Sequence, residues 1–243
     1  MKLATLLCTT TLAASIAAPC AAIPVQGTLT DDNSFNGYMG SMTNIQPLSG
    51  SVQVPDSAFV FCIVGSAHWA GAGATHQYDL GDSFAPFVVS AENAAGAAKA
   101  TGLLNYMVDH YYAPLISGAY GSDSGYGFNE AVWELTSDFT GQLSSLDTTK
   151  GGSYASDSDD PADTVLYTTI IKDLRQNFDT IAPSYRSSQY SVQFLTESDS
   201  TYQSLGMVTE KAVSPVPEPS SLALMLAGGM GMALCASRRK RAV

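Results

Sequence analysis

The chain has 243 residues, 45% of them hydrophobic and 14% charged, which is enough apolar material to bury a core and excludes disorder throughout. Asp and Glu outnumber Lys and Arg by 22 to 11, so the formal net charge at pH 7 is −11. Such an acidic surface repels phosphate backbones and anionic membrane surfaces, which argues against nucleic acid as a partner.

The N-terminus has the pattern of a secretory signal peptide. Lys2 precedes an apolar stretch, and small residues follow it up to Ala22. We therefore expect a signal peptidase to cleave after Ala22 and the mature chain to be exported. In the alternative, a lipoprotein, Cys20 would be acylated, but Pro19 occupies a position where a small flexible residue is required.

The cysteine count leaves one thiol in the mature domain. Cys8 and Cys20 leave with the signal peptide and Cys235 lies near the C-terminus, so Cys62 remains alone. No disulfide can form within the domain. A single thiol in an exported protein is either a buried small hydrophobe or a reactive group, and both interpretations stay open.

The β-rich runs come first along the body of the chain. Four of them, separated by Asn, Asp, Pro and Gly, lie between residues 25 and 66: VQGTLT, FNGYMGSMT, GSVQVP and AFVFCIVGS. Two more, QYSVQFLTES and YQSLGMVTE, precede the C-terminal segment. These patterns predict short antiparallel strands at both ends of the domain.

Three segments between these strands carry apolar residues at helical spacing. The first covers residues 90–112 and should end before Pro114, the second covers residues 127–139, and the third follows a predicted N-cap at Asp163. The apolar stripes are Ala97, Ala100, Leu104, Val108 and Tyr111; Phe128, Val132, Leu135 and Phe139; and Leu166, Ile170, Leu174 and Phe178. The order predicts an α+β domain, an antiparallel β-sandwich or small sheet with about three packed helices.

The chain ends in a short apolar segment framed by prolines and cations. Residues 220–236 carry no charge and are just long enough to cross a bilayer. Pro217 and Pro219 flank Glu218 and exclude helix there, leaving an extended, accessible segment. The cations that would hold the end in the cytoplasm are Arg238, Arg239, Lys240 and Arg241. A plain membrane anchor and a transient sorting signal both fit this pattern.

This order of Pro-Glu-Pro motif, apolar helix and Arg-rich end resembles the PEP-CTERM sorting signal of Gram-negative bacteria that make exopolysaccharide. The resemblance implies recognition by an exosortase, an integral membrane cysteine protease, with cleavage near the motif and delivery to the cell surface or matrix. We therefore expect a signal peptide (1–22), an extracellular globular domain (23–213) and a sorting signal (214–243). The transmembrane helix of the sorting signal would hold the chain in the inner membrane until cleavage.

No motif in the domain indicates an enzyme. His68, His76 and His110 lack the spacing of a zinc helix, although Asp79 is near the first two. An acidic cluster lacks the Gly and the distal Glu of a calcium loop; its members are Asp157, Asp159, Asp160 and Asp163. The sequence predicts no catalytic residue, no metal site and no cofactor. A secreted hydrolase using His68, Asp79 or Ser residues is the remote alternative.

Cys62 and the segment Phe128–Glu134 form a second recognisable pattern. Together they resemble bacterial thioester domains of surface adhesins, in which a strand Cys bonds to a Gln four residues before a Trp. They are also similar to exported PEP-CTERM proteins with a Phe-Gln-x-Ala-Ile-Trp-Glu segment. Aligned on Trp133, the Gln position is Asn129, and the resemblance implies a thioester-domain-like fold for the body.

The change from Gln to Asn bears on the chemistry. A thioester forms when the Cys thiolate attacks a side-chain amide and expels ammonia, and Asn129 is one methylene shorter than Gln. Glu130 is the other acyl group nearby, but it lies about 100° further round the helix and needs activation. In the alternative, Trp133 packs beside Cys62 or elsewhere and Asn129 caps or hydrogen-bonds a loop.

Two functions follow as expectations. In the first, the protein is a non-enzymatic component of the envelope or biofilm matrix that binds exopolysaccharide, a surface or an envelope protein. Five tyrosines would then either stack on sugars or simply pack: Tyr106, Tyr111, Tyr112, Tyr120 and Tyr126. In the second, it is a covalent surface adhesin that uses Cys62.

Overall fold

The computed structural model describes residues 22–31, 39–49, 53–64, 73–121, 124–148, 161–197 and 202–211. The predicted signal peptide and sorting signal lie outside these ranges, including all seven residues predicted to direct processing. His68 and the acidic residues Asp157, Asp159 and Asp160 also lie outside them, and Asp163 is described only as part of a helix backbone.

Within the described residues, six antiparallel strands close into a barrel in the order β1-β2-β3-β6-β5-β4. The strands are β1 (Ile23–Asp31), β2 (Met39–Pro47), β3 (Ser57–Cys62), β4 (Thr75–Gly81), β5 (Tyr190–Glu197) and β6 (Leu205–Glu210). The two C-terminal strands therefore lie between β3 and β4. This arrangement brings Cys62 of β3 opposite Leu205 of β6.

The predicted sandwich or small open sheet is wrong, because the sheet closes on itself through β4. Strand β4 pairs with β1 on one side and with β5 on the other. In its sequence, THQYDLG, only Tyr78 and Leu80 are buried, and the polar residues Thr75, Gln77 and Asp79 are exposed. This weak apolar alternation hides the strand from a search for hydrophobic runs.

The other predicted strands agree with the structure apart from one. Both C-terminal runs form strands, and the runs VQGTLT, FNGYMGSMT and AFVFCIVGS contribute to β1, β2 and β3. The run GSVQVP is the exception: its described part, residues 53–55, is not in a strand.

The three predicted helices are present, with different ends. α1 (Ala94–Met107) is followed by a π-helical segment (Val108–Tyr112) and by the short α2 (Ala113–Ile116). The expected stop at Pro114 is wrong, because Pro114 lies in the first turn of α2, where a missing N–H is tolerated.

The other two helices begin earlier than the sequence predicts, whereas α1 begins later. α3 (Ser124–Trp133) continues into a π-helical segment (Glu134–Asp138). α4 (Pro161–Gln176) begins with its proline, so Asp163 is inside the helix and is not its N-cap. Among the described residues, no helix is both long and apolar enough to cross a bilayer.

The side chains of β3 alternate between two hydrophobic cores. In β3, Ala58, Val60 and Cys62 belong to the core inside the barrel, whereas Phe61 belongs to the core shared with the helices. From α3, Phe128, Ala131 and Val132 join the helical core, whereas Trp133 joins the barrel core. The junction of β3 and α3 is therefore where the two cores meet.

One glycine allows the barrel and the helices to pack at this junction. Gly206 of β6 is paired with Phe61, and a Cβ added to Gly206 would lie 2.1 Å from Cζ of the Phe61 ring. The Phe61 ring is completely buried and also packs on Phe128 of α3, at a centroid distance of 5.6 Å. Only glycine fits at this position.

We expect Gly206→Ala to lower the free energy of unfolding by about 1–3 kcal/mol, because the added methyl group must displace the buried Phe61 ring. Gly81→Ala is the matched control, since a Cβ at Gly81 has no atom within 4 Å. Urea unfolding followed by circular dichroism measures both variants. Equal midpoints for the two variants would contradict this packing.

Candidate functional site at the end of strand β3

Cys62 is the last residue of β3 and is completely buried as a free thiol. Its side chain lies in the core inside the barrel. Burial raises the pKa of the Cys62 thiol well above its ordinary value. The thiol is therefore protonated at neutral pH, and a protonated thiol is a poor nucleophile.

Asn129 of α3 lies directly against Cys62, so the structure brings the two predicted residues together. The Oδ1 atom of Asn129 accepts a hydrogen bond from the backbone N–H of Cys62 at 3.0 Å. The Nδ2 atom donates to the carbonyl oxygen of Gly125, one turn earlier in α3, also at 3.0 Å. The carboxamide is completely buried, and each of its ends is bonded to the main chain.

Trp133 and Glu130 point in different directions from α3. Trp133 is in the barrel core with Cys62, and its ring contacts the edge of Tyr126 at a centroid distance of 5.8 Å. Glu130 instead lies toward α4: burial raises the pKa of Tyr167 on that helix, and the carboxylates of Glu134 and Glu130 add to the effect. Asn129 and Glu130 are adjacent helical positions, so their side chains point about 100° apart.

Thr136 gives β3 a second connection to the helices. Its hydroxyl oxygen lies 3.2 Å from the carbonyl oxygen of Ile63 and 3.1 Å from that of Trp133. Asn129 and Thr136 thus satisfy backbone groups at the point where β3 ends. Sequence reasoning missed Thr136, because a threonine inside a helical pattern carries no signal of a contact 73 residues away.

Tyr78 is a further buried polar group near Cys62 that the sequence did not indicate. Its hydroxyl has no hydrogen-bond partner among the described residues. Burial raises the pKa of Tyr78, and the charge of Glu197 raises it further. Glu197 is directly opposite Tyr78 in the β4–β5 ladder. The spacing of Tyr78 and Leu80 two residues apart could have indicated that the Tyr78 side chain is buried, but only if residues 75–81 had first been recognised as a strand.

Of the residues considered for a metal site or a hydrolase, His76, Asp79 and His110 lie within the described ranges and His68 does not. His76 contacts the rings of Tyr78 and Tyr202, at centroid distances of 6.3 and 4.5 Å. Asp79 is exposed and points to the opposite face of β4 from Tyr78. His110 lies far along the chain in the π-helical segment after α1. The described part of the chain contains no group of three His, Cys, Asp or Glu residues able to hold a metal ion.

Most of the five tyrosines are used in packing. Tyr111 and Tyr112 are buried, and Tyr112 lies between the rings of Phe59 and Tyr190. Tyr126 packs on Trp133. Tyr106 stacks on His110 at a centroid distance of 3.9 Å. Tyr120, at 36% exposure, is the most accessible of the five.

Residues 215–240 match the PEP-CTERM protein-sorting motif. The motif implies that an exosortase sorts the protein for export across the membrane, toward the cell surface or the extracellular space. No curated protein sequence matches the chain.

The chain is similar to several solved surface-protein domains. The N-terminal thioester domain of a surface protein from Clostridium perfringens is 14% identical, covering 77% of this chain and 99% of that one, with a TM-score of 0.46. The N-terminal thioester domain of the fibronectin-binding protein SfbI from Streptococcus pyogenes is 14% identical, covering 76% and 93%, with a TM-score of 0.45.

A third similar structure is the N-terminal domain of the Streptococcus pyogenes pilus tip adhesin Cpa. It is 14% identical, covers 78% of this chain and 95% of that one, and has a TM-score of 0.45. Both resemblances predicted from the sequence, to PEP-CTERM proteins and to thioester domains, thus recur in the comparisons.

We expect Asn129→Ala to lower the free energy of unfolding by about 1–3 kcal/mol, because the Cys62 N–H is then left buried without an acceptor. Asn177→Ala is the matched control: Asn177 also donates to the carbonyl four residues earlier, but it lies at the half-buried end of α4. Denaturant unfolding measures both. A loss no larger than that of Asn177→Ala would contradict the bridging role of Asn129.

Proposed function

We propose that the mature domain is a non-enzymatic component of the cell surface or extracellular matrix, which binds exopolysaccharide or an envelope protein without a covalent bond. The sorting motif at residues 215–240 carries this proposal. The motif implies export toward the cell surface or the extracellular space, where an exopolysaccharide or an envelope protein could be bound. The biofilm role and the identity of the partner are the parts that need a direct test.

The hydrogen bonding of Asn129 supports a non-covalent mode of action. Its oxygen and nitrogen atoms are both bonded to the main chain, and the thiol of Cys62 has a raised pKa because it is buried. Both features favour an intact Asn129 carboxamide and an unreacted Cys62 thiol. In this interpretation, Asn129 stabilises the junction of barrel and helices and has no role in chemistry.

We expect a variant with Pro217, Glu218 and Pro219 all replaced by Ala to remain unprocessed in the inner membrane, because the extended segment that an exosortase would cleave becomes helical. Pro183→Ala, in an exposed loop of the domain, is the control and should be sorted normally. Cell fractionation and immunoblotting measure both. Normal processing of the triple variant would overturn the sorting mechanism.

The ligand is tested with purified mature protein and exopolysaccharide isolated from the same cells. We expect the protein to sediment with the polysaccharide, and excess soluble polysaccharide to release it without any reductant or nucleophile. An equal amount of bovine serum albumin, which is also acidic, controls for trapping. The same sedimentation is repeated with an envelope fraction from these cells. If neither the polysaccharide nor the envelope fraction retains the protein, the proposed binding role is wrong.

The contact between Cys62 and Asn129 favours one second candidate, a covalent adhesin. The Cys62 N–H already donates a hydrogen bond to the oxygen of the Asn129 amide. Such a donor would stabilise the negative charge that develops on this oxygen when sulfur attacks the amide. In that reaction, the Cys62 sulfur bonds to the Asn129 side-chain carbonyl carbon. The amide nitrogen leaves as ammonia and takes the thiol proton.

Intact mass of the mature domain separates the two candidates. The non-covalent proposal predicts that the measured mass equals the mass calculated from the sequence, in the wild type and in Cys62→Ala alike. Methylamine should leave both masses unchanged. A covalent adhesin predicts a mass lower by one ammonia in the wild type alone, and methylamine would add to Asn129 and restore the free thiol. The second result would overturn the non-covalent proposal.

A further inference from the structure

Glu134 is a buried carboxyl group that joins three parts of the helical layer. It is the first residue of the π-helical segment after α3 and is only 3% exposed. Its Oε1 atom accepts a hydrogen bond from the backbone N–H of Asp147 at 3.0 Å. Its Oε2 atom accepts one from the hydroxyl of Tyr167 on α4 at 3.3 Å.

The charged groups around Glu134 are mostly of the same sign. Asp138 from its own segment and Asp147 from the following loop both disfavour its ionised form. Glu130, one turn earlier in α3, is also buried on the side of Tyr167. A cation of α4, Arg175, lies on the same loop, where its guanidinium donates to the carbonyl oxygen of Leu146, the residue before Asp147.

We propose that Glu134 is a pH-sensitive latch, which holds residues 139–148 against α4 in mild acid and loosens this segment as the pH rises to neutrality. The structural basis is the position of one carboxyl between the Asp147 N–H and the Tyr167 hydroxyl, among neighbouring carboxylates. Ionisation places a charge where water is excluded and Asp138 and Asp147 repel it. Opening the segment lets water reach this charge.

The direction of the pH effect follows from the protonation of Glu134. Burial raises the pKa of Glu134 from 4.5 to about 7, although the hydrogen bonds from Asp147 and Tyr167 oppose the change. A carboxyl group with a raised pKa makes the closed state most stable below the pKa of the open state. The stability is therefore lost between pH 4.5 and about 7 and stays low at higher pH.

Movement of this segment would alter a cavity beside it. Thr140, Gly141 and Gln142 form one wall of a cavity of about 330 Å³, which Lys99 of α1 and Phe178 also line. The same segment is held at a further point, where the Glu92 N–H donates to the carbonyl oxygen of Thr140, and within the segment the Thr140 N–H donates to the Ser145 hydroxyl. The latch therefore links the protonation of a buried residue to the shape of a surface cavity.

Amide hydrogen exchange of the mature protein between pH 5 and 8 tests the latch. After correction for intrinsic rates, we expect protection of the amides of residues 139–148 to fall about tenfold for each pH unit up to about 7 and then to level off. These amides should exchange before those of β3 and β6. If the amides of residues 139–148 exchange at the same rate as those of β3 and β6, exchange occurs through global unfolding and the proposal is wrong.

Three variants make this test specific. Glu134→Gln should abolish the pH dependence, because the amide oxygen still accepts from Asp147 but has no proton to lose. Tyr167→Phe should move the levelling-off to higher pH, since the lost donor favoured the ionised form. Glu210→Gln, at an exposed position on β6, should match the wild type. An unchanged pH profile in Glu134→Gln would also overturn the proposal.

Discussion

The structure depends on the hydrogen bond between the backbone of Cys62 and the side chain of Asn129. A strand that ends inside a protein must find a partner for its last N–H groups, or unfolding is favoured by the full cost of burying them. Asn129 supplies that partner from α3 and uses its second atom to bind its own helix. One carboxamide thus fixes the position of the helical layer relative to the barrel.

Other features of the junction require the same alignment. Trp133, one turn after Asn129, enters the barrel core, while Phe128, one residue before it, packs on Phe61 in the other core. Phe61 in turn occupies space that exists only because position 206 is glycine. A rotation of α3 would break all of these contacts together, so the helix has a single well-defined orientation on the barrel.

Part of this arrangement could be predicted from sequence and part could not. Cys62 and Asn129 are 67 residues apart, and the pair was recognised with Trp133 through the resemblance to thioester domains. The helices were predicted from apolar stripes such as Phe128, Val132 and Leu135. Barrel closure could not be predicted, because β4 buries only Tyr78 and Leu80 among polar residues. The burial of Glu134 was also hidden, since a glutamate in a helical segment normally faces solvent and only the packing of α4 excludes water there.

The account makes the Cys62–Asn129 contact a permanent part of the folded domain that the sorting motif brings to the cell surface. The most direct measurement is the hydrogen-exchange rate of the Cys62 amide proton, observed by NMR in the mature wild-type protein. We expect it to exchange as slowly as the amides of Val60 and Phe61 within the sheet, because it is buried and bonded to Asn129 Oδ1. Exchange as fast as that of an exposed loop residue such as Ser184 would show that the bond is absent and contradict the account.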